Sequence, residues 1–170
     1  IEPKTRADQD KIGEALNIML REENPVLTDV ADRLIALLDK NTFEASLAKQ
    51  NGHYLDKIRL QIVQVLARAE AAIESGKLGA IKALLNDGND EFKFWAAVIL
   101  AKFDTSRAPV SEEAISLATK KIQVSGSSST QEQLGAIDIL AKAGRTDIIV
   151  HRLTELFEGA QDKKVVEHIH

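Results

Sequence analysis

The chain of 170 residues contains no cysteine, three prolines and few aromatic residues, which make up 4% of its composition. Without cysteine it can form no disulfide, no thiolate metal site and no thiol nucleophile. This composition fits a reducing compartment, so we expect a cytoplasmic protein. The longest apolar tract, Phe94 to Ala101, is far shorter than the roughly 18 residues of a membrane span, and we expect a soluble chain without a membrane partner.

Positive charge is not in excess either. The 22 lysine and arginine residues are outnumbered by 26 aspartate and glutamate residues, which gives a net charge of -4. Since neutralisation of phosphates supplies most of the affinity for nucleic acids, we do not expect a nucleic-acid partner. The chain starts at Ile1 without the charged and apolar regions of a signal peptide, which leaves processing, trimming and secretion open.

The sequence is rich in apolar residues at helical spacing. Its 44% of hydrophobic residues are enough for one continuous core, so we predict a single domain of residues 1–170. No alternating pattern indicates a strand. We predict an all-α fold of eight or nine helices, the first two forming an antiparallel hairpin within residues 1–40. The predicted helices cover about 6–22, 28–40, 42–49, 54–75, 78–85, 90–103, 111–122, 129–143 and 146–159, and one or two further turns reach towards residue 170.

Capping residues set several of these limits. The sequence Ser129-Thr130-Gln131-Glu132 is typical of a capping box, in which the serine and the glutamate satisfy each other's free backbone N–H groups. Further predicted starts are Asp90 and Ser111. Glycine at the end of a helix favours the left-handed conformation, so the predicted ends include Ser75-Gly76, Gly144 and Gly159.

One tetrapeptide recurs along the chain. Ile99-Leu100-Ala101-Lys102 returns 40 positions later as Ile139-Leu140-Ala141-Lys142, and 34 positions earlier it has the counterpart Val65-Leu66-Ala67-Arg68. A period of about 35 to 45 residues is typical of stacked helix pairs. Residues 53–158 therefore resemble HEAT or armadillo repeats, which implies a right-handed α-α superhelix with a concave side. An irregular helical bundle with the same number of helices is the alternative, because the period is unequal and the proline between helices is missing.

The first 25 residues carry a second resemblance. The sequence IEPKTRADQDKIGEAL at positions 1–16 resembles the start of domain III of translational elongation factor G, and Arg21-Glu22-Glu23-Asn24-Pro25 is similar to the helix end that follows there. This resemblance implies a strand end leading into a helix. Beyond it, Val26 to Lys40 has helical spacing where that family has a strand. The chain has no G-x-x-x-x-G-K-[ST] loop, so GTPase chemistry is not implied.

Two groups of residues are candidates for binding a partner. Phe94 and Trp95 belong to an aromatic cluster that could anchor an interface, although such rings more often fill a core. Arg68, Lys102 and Lys142 occupy equivalent positions of the repeat, so in a superhelix they would form a ladder of positive charge for an acidic peptide or a phosphate. Alternatively, these cations only complement the negative ends of helices.

No pattern indicates catalysis. The four histidines form no H-E-x-x-H motif, and neither G-x-S-x-G nor a glycine-rich dinucleotide loop occurs. We therefore expect no enzymatic activity, no metal and no cofactor. The hypothesis that fits best is a non-catalytic scaffold that binds a protein or peptide in its concave groove. The alternatives are a helical-repeat protein that binds a small ligand or nucleic acid, and a fragment of a larger assembly.

Overall fold

A computed structural model describes residues 6–21, 30–38, 52–69, 73–106, 108–123 and 128–168. Within these ranges all regular structure is helical and no strand occurs, which confirms the all-α prediction for them. The predicted short helix at 42–49 lies outside the described residues. The α-helices, in chain order, are α1 (Arg6–Met19), α2 (Ala31–Leu38), α3 (Gly52–Arg68), α4 (Gly79–Ala83), α5 (Asp90–Phe103), α6 (Glu112–Gln123), α7 (Thr130–Lys142) and α8 (Thr146–His168).

The chain divides into two compact units, Ile1–Arg107 and Ala108–His170. In the first unit α3 packs against α1, α2 and α5, while α4 lies against α2 and α5. In the second unit α6, α7 and α8 all pack against one another. Whether the two units associate into the predicted single domain stays a prediction. The antiparallel hairpin within residues 1–40 also stays a prediction.

Helices α1 and α3 run parallel, because side chains near corresponding ends meet. The amide Nε2 of Gln61 donates to Oδ1 of Asn17 at 2.7 Å. About one turn further along α1 and two turns further along α3, a guanidinium N–H of Arg68 donates to the carbonyl oxygen of Leu20. The paired residues are 44 and 48 positions apart in sequence, which is the nearly constant separation expected of parallel neighbours.

Helices α3 and α5 are parallel by the same criterion. The guanidinium carbon of Arg59, in the middle of α3, lies 5.0 Å from the centre of the Phe92 ring, in the first turn of α5. Near their ends, Nζ of Lys102 donates to the carbonyl oxygen of Ala67 at 2.8 Å. These partners are 33 and 35 positions apart, close to the 34-residue spacing of the sequence pattern, because the pattern marks equivalent points on these two adjacent helices.

Two helix limits in the first unit differ from the prediction. Helix α3 ends at Arg68 instead of near Ser75, and the carbonyl oxygens of Ala67 and Ala69 at its end accept hydrogen bonds from Lys102. A side chain from another helix thus satisfies groups that would otherwise need a further turn. At the start of α5 the cap is Asn89, whose side chain accepts from the backbone N–H of Glu91, and not Asp90.

Two of the capping predictions are confirmed in the second unit, and one is wrong. Ser129 and Glu132 form the predicted capping box at the start of α7. Gly144 has φ +71°, and the N–H of Arg145 donates to the carbonyl oxygen of Leu140 at 2.8 Å, which is the bonding pattern of a left-handed helix end. The tight turn makes α7 and α8 antiparallel. The predicted end at Gly159 is wrong, because α8 continues to His168; a glycine inside a helix costs only about 1 kcal/mol.

Helix α8 is longer than its neighbour. The side chains that line the hollow between the two helices lie from Thr130 to Ile137 on α7 and from Ile149 to Leu156 on α8, so in antiparallel order Thr130 corresponds to Leu156. The first residue of α7 therefore lies opposite residue 156, and residues 157–168 extend past it. At 1.5 Å per residue this extension measures about 18 Å.

We predict that the stability of the first unit depends on pH through Asp104. Its carboxylate accepts from Nζ of Lys82 at 2.9 Å and from the N–H of Ser106 at 2.9 Å, which lowers its pKa from 3.8 to about 2. The stabilisation is complete above the unfolded pKa of 3.8 and is lost as the pH falls towards 2. After allowance for the solvent that reaches Lys82, Asp104→Asn should cost about 1 kcal/mol at pH 7.

Urea unfolding of wild type and Asp104→Asn at pH 7 and at pH 2.5 (roughly midway through the titration) measures this effect. The difference between the two proteins should shrink at the lower pH. Glu14→Gln in α1, an exposed carboxylate, is the matched control. A difference that is equal at both pH values would contradict the role of the Asp104 charge.

Candidate functional site

The two aromatic residues predicted as binding anchors lie in the interior of the first unit. Phe94 is fully buried and Trp95 is 3% exposed. Their rings meet edge to face, with centroids 5.1 Å apart and planes at 73°, a favourable geometry for aromatic pairs. The indole N–H of Trp95 has no acceptor among the described residues. These placements assign both rings to packing, and a direct contact with a partner stays a prediction.

Arg68 and Lys102 share one structural role. Each side chain, near the end of its own helix, donates to carbonyl oxygens at the end of the preceding parallel helix: Arg68 to Leu20 and Lys102 to Ala67 and Ala69. Burial lowers the pKa of Arg68 from its usual value. A cation at the negative end of a helix is stabilised by the aligned peptide dipoles. Lys142 lies exposed in the last turn of α7, and a binding role for all three stays a prediction.

A small polar hollow lies between α1 and α3. It has a volume of about 200 Å³, below the roughly 300 to 1,000 Å³ of typical ligand sites. Its lining combines both signs of charge with two amides that already bond to each other, and it does not include Trp95. The lining residues are Asp10, Gly13, Glu14, Asn17, Lys57, Ile58 and Gln61.

The second unit carries an apolar groove between α7 and α8. A hollow of about 140 Å³ lies there, with Ile122 of α6 at its base. Leu134 on α7 is 51% exposed, and Leu153 and Leu156 on α8 are 55% and 50% exposed. Side chains of this size normally contribute about 1.5 to 3 kcal/mol each when fully buried, so half of that stabilisation is not realised in this unit.

The apolar surface continues from the groove onto the outer side of α8. Val150 is 61% exposed and Phe157 is 66% exposed. Together with Leu153 they follow the helical spacing i, i+3, i+7, which places them on one stripe. We call the five residues Leu134, Val150, Leu153, Leu156 and Phe157 the apolar face.

In the sequence, Leu153, Leu156 and Phe157 recur at helical spacing along the predicted last helix. The helical spacing was read correctly, but spacing shows only which residues share a face. It does not show whether another helix covers that face. One signal was present: apolar residues at 149, 150, 153, 156 and 157 cover a wider arc than contact with one neighbouring helix requires.

Charged groups near the groove are paired. Nη1 of Arg152 donates to Oε2 of Glu155 at 2.9 Å. At the start of α7, Glu132 accepts from Lys121 and from Ser129. Burial opposes ionisation of Glu132, but these hydrogen bonds outweigh it and lower its pKa. The groove therefore has a neutral apolar floor and no excess of either charge among these groups.

The described part of the chain shows no metal-binding cluster. No three histidine, aspartate or glutamate side chains come together there. His151 is exposed and lies 3.4 Å from Glu155, and the side chains of the other three histidines lie outside what the structure describes. None of the described helices combines the length and the apolar character needed to cross a membrane.

Comparison with known proteins found no match among protein-family models, curated proteins or solved structures.

We predict that Lys102 stabilises the first unit by binding the end of α3. Lys102→Met keeps most of the aliphatic side chain and removes the donor, so it should lower the free energy of unfolding by about 1 kcal/mol. Lys11→Met in α1, an exposed lysine, removes the same charge and should change stability by less than about 0.5 kcal/mol. Urea titration compares the three proteins, and equal stabilities would contradict this role.

Trp95 is the single tryptophan of the chain, so its fluorescence reports on the first unit alone. Because the ring is buried, we expect blue-shifted emission and weak quenching by iodide in the native protein. Both should change on unfolding in urea to the values of a free tryptophan derivative. Emission that is already red-shifted and freely quenched in the native protein would contradict the burial of Trp95 and return it to the candidate contacts.

Proposed function

We propose that this protein is a non-catalytic helical scaffold that binds a protein or peptide through the apolar face of α7 and α8. The observation that carries the proposal is the exposure of five large apolar side chains on one unit. Each exposes roughly 100 Å², which gives an apolar surface of roughly 500 Å². A patch of this size lies at the upper end of what monomeric proteins show, and such patches often mark interaction sites.

We further propose that the helices form a HEAT-like or armadillo-like superhelix. The parallel register of α1, α3 and α5 supports this arrangement, because neighbours in a stack of helix pairs are parallel at a constant sequence separation. The cysteine-free sequence supports placing the scaffold in the cytoplasm. In such a scaffold Arg68, Lys102 and Lys142 mark equivalent helix ends, and the binding surface proposed here is the apolar face of α7 and α8.

Chemistry at the groove favours an apolar ligand over an anionic one. A site for nucleic acid needs several cations that are free to meet phosphates, whereas Arg152 is already bonded to Glu155. The groove hollow of about 140 Å³ is also smaller than most sites for small ligands. A peptide fits both the paired charges and the small volume, because one apolar side chain can enter the hollow while its neighbours cover the surrounding leucines.

Selection from a displayed library of random peptides tests the proposal. We expect wild type to enrich peptides with apolar residues at i, i+3 or i+4, and i+7, the spacing with which a helix enters a groove. Leu134→Asp and Leu156→Asp should each weaken these peptides by at least about tenfold. Both side chains are half exposed, so the substitutions should leave the fold intact.

Ile18→Asp is the matched control. Ile18 in α1 is 56% exposed, so it introduces the same charge at an equally exposed apolar position of the first unit. Its binding should equal that of wild type. Peptides that bind the Leu156→Asp protein as well as they bind wild type would exclude the apolar face as the binding surface.

A further inference from the structure

The apolar stripe of α8 is symmetric about one residue. Leu153 has apolar residues three and four positions before it, Val150 and Ile149, and three and four positions after it, Leu156 and Phe157. Such a stripe reads the same in both directions along the helix. It is therefore complementary to a second copy of itself that runs antiparallel, with a two-fold axis perpendicular to the two helices.

We propose that the partner on the apolar face is a second copy of this chain, docked through an antiparallel α8 pair with Leu153 on the two-fold axis. This inference rests on the proposed function and names its partner. In this register the two-fold axis keeps each residue on its own flank of the contact, so Val150 packs against Phe157 of the second copy and Ile149 packs against Leu156. Every position of the central contact then places an apolar side chain against another.

The area of the apolar face suits such a dimer. A stable interface of standard size buries about 800 Å² per partner, of which about 56 to 65% is apolar. This fraction corresponds to about 450 to 520 Å² of apolar surface on each copy. The roughly 500 Å² that the five side chains expose falls within this range.

The length of α8 also suits it. Residues 157–168 extend past the start of α7, and in an antiparallel pair centred on Leu153 they run beside the α7–α8 turn of the other copy. One contact needs compensation, since Asp147 comes near Glu158 of the second copy. Arg145 already binds both carboxylate oxygens of Asp147 at 3.2 Å, which offsets the negative charge there.

Sedimentation equilibrium or light scattering tests the dimer directly. The chain has a mass of 18.6 kDa, and we expect twice that mass at a protein concentration of about 0.1 mM. Leu153→Asp places two carboxylates on the axis and should weaken association by at least about 30-fold. Ile18→Asp should leave the dimer unchanged. A dimer that persists in Leu153→Asp would overturn the inference. A wild type that is still monomeric at about 0.1 mM would overturn it as well.

Cysteine cross-linking tests the register, because the chain has no cysteine of its own. Helix axes about 8 to 10 Å apart bring Cα atoms on the two-fold within disulfide range, so Leu153→Cys should cross-link to itself under mild oxidation. Val150→Cys lies about 9 Å along the axis from its own copy and should not, whereas a mixture of Val150→Cys and Phe157→Cys proteins should. Ile18→Cys controls for random collision.

The outcomes separate the two proposals. Cross-linking of Val150→Cys to itself as efficiently as Leu153→Cys would exclude the antiparallel register. A monomeric wild type that still selects peptides through Leu156 would overturn the dimer and leave the proposed function standing. A dimer that depends on Leu153, in a protein that selects no peptides, would support self-association as the only interaction of this face.

Discussion

The burial of α3 is the constraint on which the first unit depends. Helices α1, α2 and α5 pack around it, and Ile62, Val63, Val65 and Leu66 are fully buried. A helix covered on several sides must be apolar over most of its circumference, and its terminal carbonyl groups are kept from water. Those groups then need donors from elsewhere. Lys102 supplies them, which explains why a charged residue follows an apolar run at the end of α5.

Local capping chemistry was predictable from the sequence. The Ser129 capping box and the left-handed Gly144 each depend on residues within one turn of chain, so a short stretch of sequence contains the whole interaction. Which residues lie together on one side of a helix was predictable for a related reason: Ala96 and Ala136 occupy equivalent positions of the pattern, and both are fully buried. Helical spacing alone fixes which residues share a face.

Features that depend on distant residues were not predictable in the same way. The end of α3 at Arg68 involves a side chain 34 positions further on, and the sequence near residue 68 contains no sign of it. The sequence does not distinguish whether Trp95 is a binding anchor or a core residue, because a large aromatic ring favours burial in an interface and in an interior alike. Only the packing around it separates the two.

The proposed association of the second unit would also affect its stability. A unit of roughly 60 residues buries a smaller fraction of its surface than a larger domain and is correspondingly marginal in stability. Leaving Leu153 and Phe157 in water forgoes part of the burial available to it. A partner that binds only the folded unit recovers this free energy and shifts the folding equilibrium by mass action. Covering the apolar face and stabilising α6, α7 and α8 are therefore one thermodynamic event, because the same side chains contribute to both.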